Sequence, residues 1–260
     1  MNDTLNFKII GSGPTGLLLA IALSKLDLNI YLTDLLTKEN LVNKDKTYAL
    51  THSSRKILSK FNLWDKLNTY LYEFDSLSIS DSITSDFTIL TTSDLDEDIS
   101  SLNTIGWVVK HSDLMNVFFE EIENKKNIFF KSSFELDYEN INFDYKFIAT
   151  GANSNYKKHQ KFFNIKKSYN HSCLTFEVLV RGNIQRRAYE IFRKEGPLAL
   201  LPLDENRYQI IWTAHTSKSV DRLNLSKSFL LDNLSTILPE NIRLDQIDSE
   251  INIFPVSLNL

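Results

Sequence analysis

The sequence predicts an α/β chain in two parts: a parallel sheet flanked by helices, then an antiparallel sheet with a covering helix. Three observations predict it. The chain opens on a short apolar run, Phe7–Ile10, that meets Gly11-x-Gly13-x-x-Gly16 and passes at once into a helix-like apolar run through Ala20. Strand-like runs and helically spaced segments then alternate as far as Ala149, the pattern of βα units. Beyond residue 165 the texture changes to period-two alternation, the mark of half-buried strands.

The opening run carries the most information. Gly11 allows a tight turn, Gly13 lets the backbone approach a pyrophosphate, and Gly16 lets the helix pack closely on its strand. Pro14 suits the first helical turn, where its missing N–H costs nothing. The helix start at Pro14 and Thr15 presents free N–H groups and a partial positive charge to phosphates. A second strand, Asn29–Thr33, ends at Asp34, about twenty residues past the glycines, where an acid binds a ribose hydroxyl. A carboxylate there repels a 2′-phosphate, which favours the adenosine of FAD or NAD over that of NADP.

The remaining elements follow in order. Leu36–Thr47 is polar and reads as a solvated loop. Ser53–Leu71 has helical spacing in Ile57, Leu58, Phe61, Trp64, Leu67 and Leu71, and Asn62 is expected to split it into two helices by taking a left-handed cap. Residues 75–91 read as short strands, and Asp94–Asp98 as a solvated acidic loop. A strand at Ile105–Val109, an amphipathic helix at Asp113–Ile122 and strands at Asn127–Phe130 and Phe143–Ala149 complete the first part. In the second part Leu174, Phe176, Val178 and Val180 alternate with polar positions, and Arg187–Phe192 and Tyr208–Trp212 alternate likewise. Leu198–Leu203 is almost wholly apolar, Leu223–Leu238 is helical in pattern, and Ile251–Val256 is a last strand.

Composition narrows the function. With 260 residues, 42% hydrophobic and 24% charged, the chain resembles a soluble globular protein of one large or two ordinary domains. A net charge of −4 argues against nucleic-acid binding. The single cysteine, Cys173, makes no internal disulfide, so a cytoplasmic setting is the default. No apolar run is long enough to span a bilayer. The five histidines show no metal-ligand spacing; His52, His159, His171 and His215 read as ordinary polar residues, and no metal is expected.

Four stretches resemble a known family. They are the glycine turn with Asp34; Lys46–Thr51 running into Leu58 and Asn62-Leu63-Trp64; Phe147–Ser154; and Ala188–Phe192 with Gly196–Leu203 and Ile210–Trp212. The chain resembles the aromatic-ring hydroxylases of the para-hydroxybenzoate hydroxylase type, and among them the ubiquinone-biosynthesis hydroxylases of polyprenylated phenols. The resemblance implies a Rossmann-like FAD-binding domain at 1–74 and 101–164, and an antiparallel-sheet substrate domain at 75–100 and 165–260. It implies an FAD-dependent monooxygenase in which NAD(P)H reduces the flavin, oxygen forms a flavin hydroperoxide, and a lipid-like phenol is hydroxylated. No protein nucleophile is required, so no catalytic side chain is assigned. FAD would be held by Gly11, Gly13, Pro14, Thr15, Gly16, Asp34, Lys46, His111 and Gly151; His111 reads equally well as an ordinary strand-end histidine. The run Leu198–Leu203 is either a greasy wall for a prenylated ring or plain strand core. A lipid-like substrate implies visits to the inner membrane surface or to a biosynthetic complex.

The departures are specific. Where the family has Asp-Gly-Ala and then an arginine, this chain has Thr150-Gly151-Ala152 and Lys157, which puts NADPH use in question before flavin binding. The family continues into a third, glycine-rich flavin motif, so a chain ending at Leu260 is expected to be the N-terminal part of the family fold. The alternative is a natural short form that has lost flavin turnover, a non-catalytic nucleotide-binding or assembly protein. An NAD-dependent dehydrogenase fits Ala149–Ser154 and Gly196–Leu203 less well.

Overall fold

In the computed structural model, which describes residues 4–96, 102–132, 141–151, 166–182 and 185–259, the glycine turn lies where a strand ends and a helix begins. β1 (Leu5–Ile10) enters the turn, α1 (Pro14–Leu23) leaves it, and β2 (Leu28–Asp34) returns parallel to β1. After α2 (Lys38–Val42) and β3 (Thr47–Leu50) come α3 (His52–Lys60) and α4 (Trp64–Leu67). Next are β4 (Tyr72–Phe74), β5 (Ser76–Asp81), β6 (Phe87–Thr91) and β7 (Gly106–Lys110). Then α5 (His111–Glu123), β8 (Ile128–Ser132) and β9 (Tyr145–Ile148) follow. The later chain forms β10 (Lys166–Val180), β11 (Arg187–Phe192), β12 (Leu198–Pro202), β13 (Arg207–His215), α6 (Thr216–Leu223), α7 (Lys227–Ser235), β14 (Leu244–Ile247) and β15 (Asn252–Asn259).

The chain divides into two compact units: Met1–Tyr48, Ser53–Tyr70 and Val109–Asn164 make the first, and Ala49–His52, Leu71–Val108 and Ile165–Leu260 the second. In the first, strands in the order β8-β2-β1-β9 form a parallel sheet. Ile9, Ile30 and Leu32 fill its middle, and Phe119 of α5 meets Phe130 of β8 edge-on, with ring centroids 5.4 Å apart. Helix α5 buries Leu114, Met115, Phe118 and Ile122 at helical spacing and packs against α1, α2 and α4. Each such side chain contributes about 1.5–3 kcal/mol of burial. Asn62 takes φ 59° between α3 and α4, so the expected split is real. Leu36–Thr47 departs from its expected loop. Thr37 caps α2 by accepting from the Asn40 amide at 3.3 Å, and Leu41 and Val42 are buried. Two apolar residues suffice for one buried turn but make no periodic signal.

In the second unit, among the described residues, the strands run β14-β10-β13-β12-β11-β5-β6, and β15 shares with β14 one edge of the long β10. Leu174, Phe176 and Val178 of β10, Leu198 and Leu200 of β12, and Tyr208, Ile210 and Trp212 of β13 form one buried cluster with Leu230 and Leu234 of α7. The expected antiparallel sheet is in fact mixed, because β11 pairs parallel with β5. Period-two alternation fixes which face a side chain takes, not which partner a strand finds. The apolar run at β12 is strand core on both faces: Leu198 and Leu200 join that cluster, while Leu201 and Leu203 pack with Phe74, Val108 and Ala188. Cys173 is half-buried and burial pushes its thiol pKa up, leaving it a packing residue.

Candidate functional site

In the first unit β1 lies between β2 and β9, all parallel, so the carboxyl ends of three strands come to one edge of the sheet. There the chain supplies Gly11–Gly13, Asp34 and Ala149–Gly151. The three turn glycines differ in what they require. Gly11 sits at φ +103°, and a Cβ on it would fall 2.5 Å from the Ala149 carbonyl oxygen. A Cβ on Gly16 would fall 1.9 Å from the Gly11 oxygen. Gly13, the N-cap of α1, has ordinary extended backbone, and a Cβ on it would meet nothing within 4 Å. The first and third are required by the fold, whereas the second faces open space.

Asp34 is engaged by the turn itself. Its carboxylate accepts from the Ser12 amide at 2.6 Å and from the Leu36 amide at 3.0 Å. The Gly11 amide donates to the Thr33 carbonyl at 2.7 Å, so the turn is tied to the end of β2 twice. Each carboxylate oxygen keeps a second lone pair. Pro14 begins α1 and Thr15 beside it is exposed. Gly151 is exposed at φ +73° with open space beside its Cα. Lys46 lies just before β3, where its carbonyl accepts from the His111 amide at 2.8 Å. Two further polar atoms lie here that spacing does not single out: Ser12 Oγ and Thr150 Oγ1 are buried with no hydrogen-bond partner among the described residues. Ser12 occupies a variable position of the glycine motif, so only its burial reveals it. Ala152–Ser154, Lys157 and His159 lie outside the described residues.

His111 is placed differently from the expectation of a cofactor ligand. It is 2% exposed, its Nε2 lies 2.8 Å from the Leu41 carbonyl oxygen and its Nδ1 lies 2.8 Å from the Tyr48 hydroxyl. A carbonyl only accepts, so Nε2 carries the proton and Nδ1 accepts from Tyr48. Both nitrogens are committed, and the ring ties α2 and β3 to the start of α5, the ordinary reading of this histidine. Burial lowers its pKa below 6.5, and the charges of Lys44 and Lys46 act the same way, against the bond to Leu41. Its contribution to stability is therefore complete above pH 6.5 and shrinks as the pH falls through the interval below it. His111→Gln is expected to flatten that part of a stability–pH profile measured by urea unfolding.

No family model matches the chain. It is 25% identical over 279 residues to an uncharacterized protein of Synechocystis sp., covering 99% of this chain and 65% of that one. It is 21% identical over 267 residues to the ubiquinone hydroxylase UbiM of Neisseria meningitidis, covering 95% of this chain and 58% of that one. The chain thus spans less than two thirds of the length of these curated relatives. Among solved structures, p-nitrophenol 4-monooxygenase PnpA of Pseudomonas putida superposes with a TM-score of 0.74 at 13% identity, over 98% of this chain and 69% of that one. PqsL of Pseudomonas aeruginosa, a probable FAD-dependent monooxygenase, does so with a TM-score of 0.74 at 10% identity, over 98% of this chain and 74% of that one. The fold is that of the FAD-dependent monooxygenases. Within this monooxygenase fold the turn fits an adenine dinucleotide on three counts. Gly13 leaves space that a Cβ would fill, the N-terminus of ten-residue α1 is capped by no side chain, and two buried hydroxyls lack a partner among the described residues.

Proposed function

We propose that the first unit holds FAD and that the chain belongs to a monooxygenase hydroxylating a phenol, with a polyprenylated phenol of ubiquinone biosynthesis as substrate and NAD(P)H as reductant. The observation that carries this reading is the open space beside Gly13, at a sheet edge where the hydroxyls of Ser12 and Thr150 are buried without a partner among the described residues. The amides at the start of α1, with Pro14 and Thr15, bind the diphosphate; Asp34 accepts from a ribose hydroxyl with its remaining lone pairs; Lys46 adds positive charge; and Gly151 lets the backbone come close. Thr150 offers an uncharged hydroxyl where the resembling family has a carboxylate. FAD, when bound, supplies the redox chemistry that activates oxygen. The similarity to UbiM supports the substrate class. Among the described residues no helix is long and apolar enough to cross a membrane. The lipid-like character of the proposed substrate supports an encounter at a membrane surface or within a biosynthetic complex.

Titrating FAD into the purified chain tests the reading. Saturable quenching of flavin fluorescence at one equivalent, with NAD and NADP binding more weakly, is the expected result. A chain indifferent to FAD overturns it. With FAD bound, mass spectrometry of a prenylated phenol incubated with NADH or NADPH is expected to show a gain of one oxygen.

A further inference from the structure

His171 and His215 are direct register partners in the antiparallel β10–β13 pair. Their ring centroids lie 5.9 Å apart with the planes at 70°. Each ring is oriented through its Nδ1. That of His171 lies 2.7 Å from the Tyr169 carbonyl oxygen, which only accepts, so this nitrogen carries the proton. That of His215 lies 3.0 Å from Ser217 Oγ, which accepts or donates. When Ser217 accepts, both rings present an unprotonated Nε2, and neither Nε2 has a hydrogen-bond partner among the described residues.

The local backbone explains why both rings are held there. The β10–β15 register shifts between Ser168 and His171, with Asn170 at φ 54°, and such bulges re-aim the next side chain. His215 ends β13 and is the N-cap residue of α6, which brings Ser217 of that helix's first turn to its Nδ1. His171 is partly exposed and His215 exposed, so both are accessible.

We infer that His171 and His215 form a two-imidazole site for a divalent late transition ion such as Zn²⁺, Ni²⁺ or Cu²⁺, with water completing the coordination. Metal–nitrogen bonds of roughly 2.0–2.1 Å put two ligating rings at about the separation seen here. A ring N–H given to a carbonyl or hydroxyl is the usual outer contact of a metal-bound histidine. Imidazole selects these ions over Mg²⁺ and Ca²⁺, which prefer oxygen. No group of three His, Cys, Asp or Glu side chains suited to a metal occurs among the described residues, so the site has two protein ligands and open positions. Cys173 is the next residue on the same face of β10, but its thiol is turned to the Leu174 carbonyl. The inference is independent of the proposed flavin role, because these residues belong to the second unit.

Isothermal titration of the full chain with ZnCl₂, NiCl₂ or CuCl₂ tests it. One saturable equivalent is expected, tightest for Cu²⁺. His171→Ala and His215→Ala should each weaken binding by about tenfold or more, with unchanged circular dichroism. His215→Gln, at the more exposed ring, gives a second variant that keeps the fold. Long-range ¹H–¹⁵N spectra should place the metal on Nε2 of both rings. Affinity unchanged in the variants, the absence of a saturable step, or equal competition by Mg²⁺ overturns the assignment.

Discussion

Gly13→Val is expected to keep the protein folded and to lower FAD affinity about a hundredfold or more. The backbone at Gly13 is extended, with φ −72° and ψ −177°, so valine fits without strain. Its Cβ meets nothing within 4 Å beyond its immediate chain neighbours, and it enters the space assigned to the diphosphate. A poorer N-cap lowers stability by about 1 kcal/mol at most, while a hundredfold loss of affinity corresponds to about 2.8 kcal/mol. Gly16→Ala should behave in the opposite way. Its methyl would lie 1.9 Å from the Gly11 carbonyl oxygen, so α1 must move off β1. Gly11→Ala adds a left-handed φ to a backbone clash. Each should destabilise by about 3 kcal/mol or more. Urea unfolding and FAD titration on the three variants separate a ligand-facing glycine from two structural ones. A Gly13→Val protein that binds FAD as tightly as the parent would place the dinucleotide elsewhere.

The second large effect is expected at Glu195. Its carboxylate bonds Lys218 at 2.8 Å, Arg222 at 2.6 Å, and Arg193. Arg222 also lies 4.1 Å from the centre of the buried Trp212 ring and Arg193 5.7 Å. Burial pushes the Glu195 pKa up, but the hydrogen bonds from Lys218 and Arg222 and the charges of Arg222 and Arg193 outweigh it and hold the group at about 2. The unfolded carboxyl titrates near 4.5, so this contribution is complete above that pH and is lost as the pH falls through about 2. Glu195→Gln should cost about 3 kcal/mol at pH 7, because it leaves two largely buried guanidiniums and a lysine around a neutral amide. It should also flatten the acid limb of the stability profile between pH 4.5 and about 2. Calorimetry across that interval checks both. Equal acid sensitivity in parent and variant would show that the cluster contributes nothing.

Much of this architecture was legible in the amino acids. The glycine turn, the strand ending at Asp34 and the break at Asn62 each rest on a residue with few conformational alternatives, so local chemistry specified them. The alternation through Val180 marked β10 for the same reason. What escaped was either too short or too distant in sequence. Helix α2 buries only Leu41 and Val42, and α6 fully buries only Ser219 and rests Leu223 against the core, so each offers too few apolar residues to stand out. The bonds that commit His111 involve partners 63 and 70 residues away, invisible to any local window. The buried hydroxyls of Ser12 and Thr150 depend on how strand ends meet, which no spacing rule encodes.

The parallel pairing of β5 with β11 bears on how the protein is made. Arg187 and its register partner Ser76 are 111 residues apart, so β5 leaves the ribosome long before the strand it needs. The first unit receives its last described strand at Tyr145–Ile148, while the hairpin of β5 and β6 still lacks its neighbour. That hairpin carries Phe87, Ile89 and Leu90, which stay exposed even with β11 in place. During synthesis it is an open, sticky edge, prone to pairing with other strands.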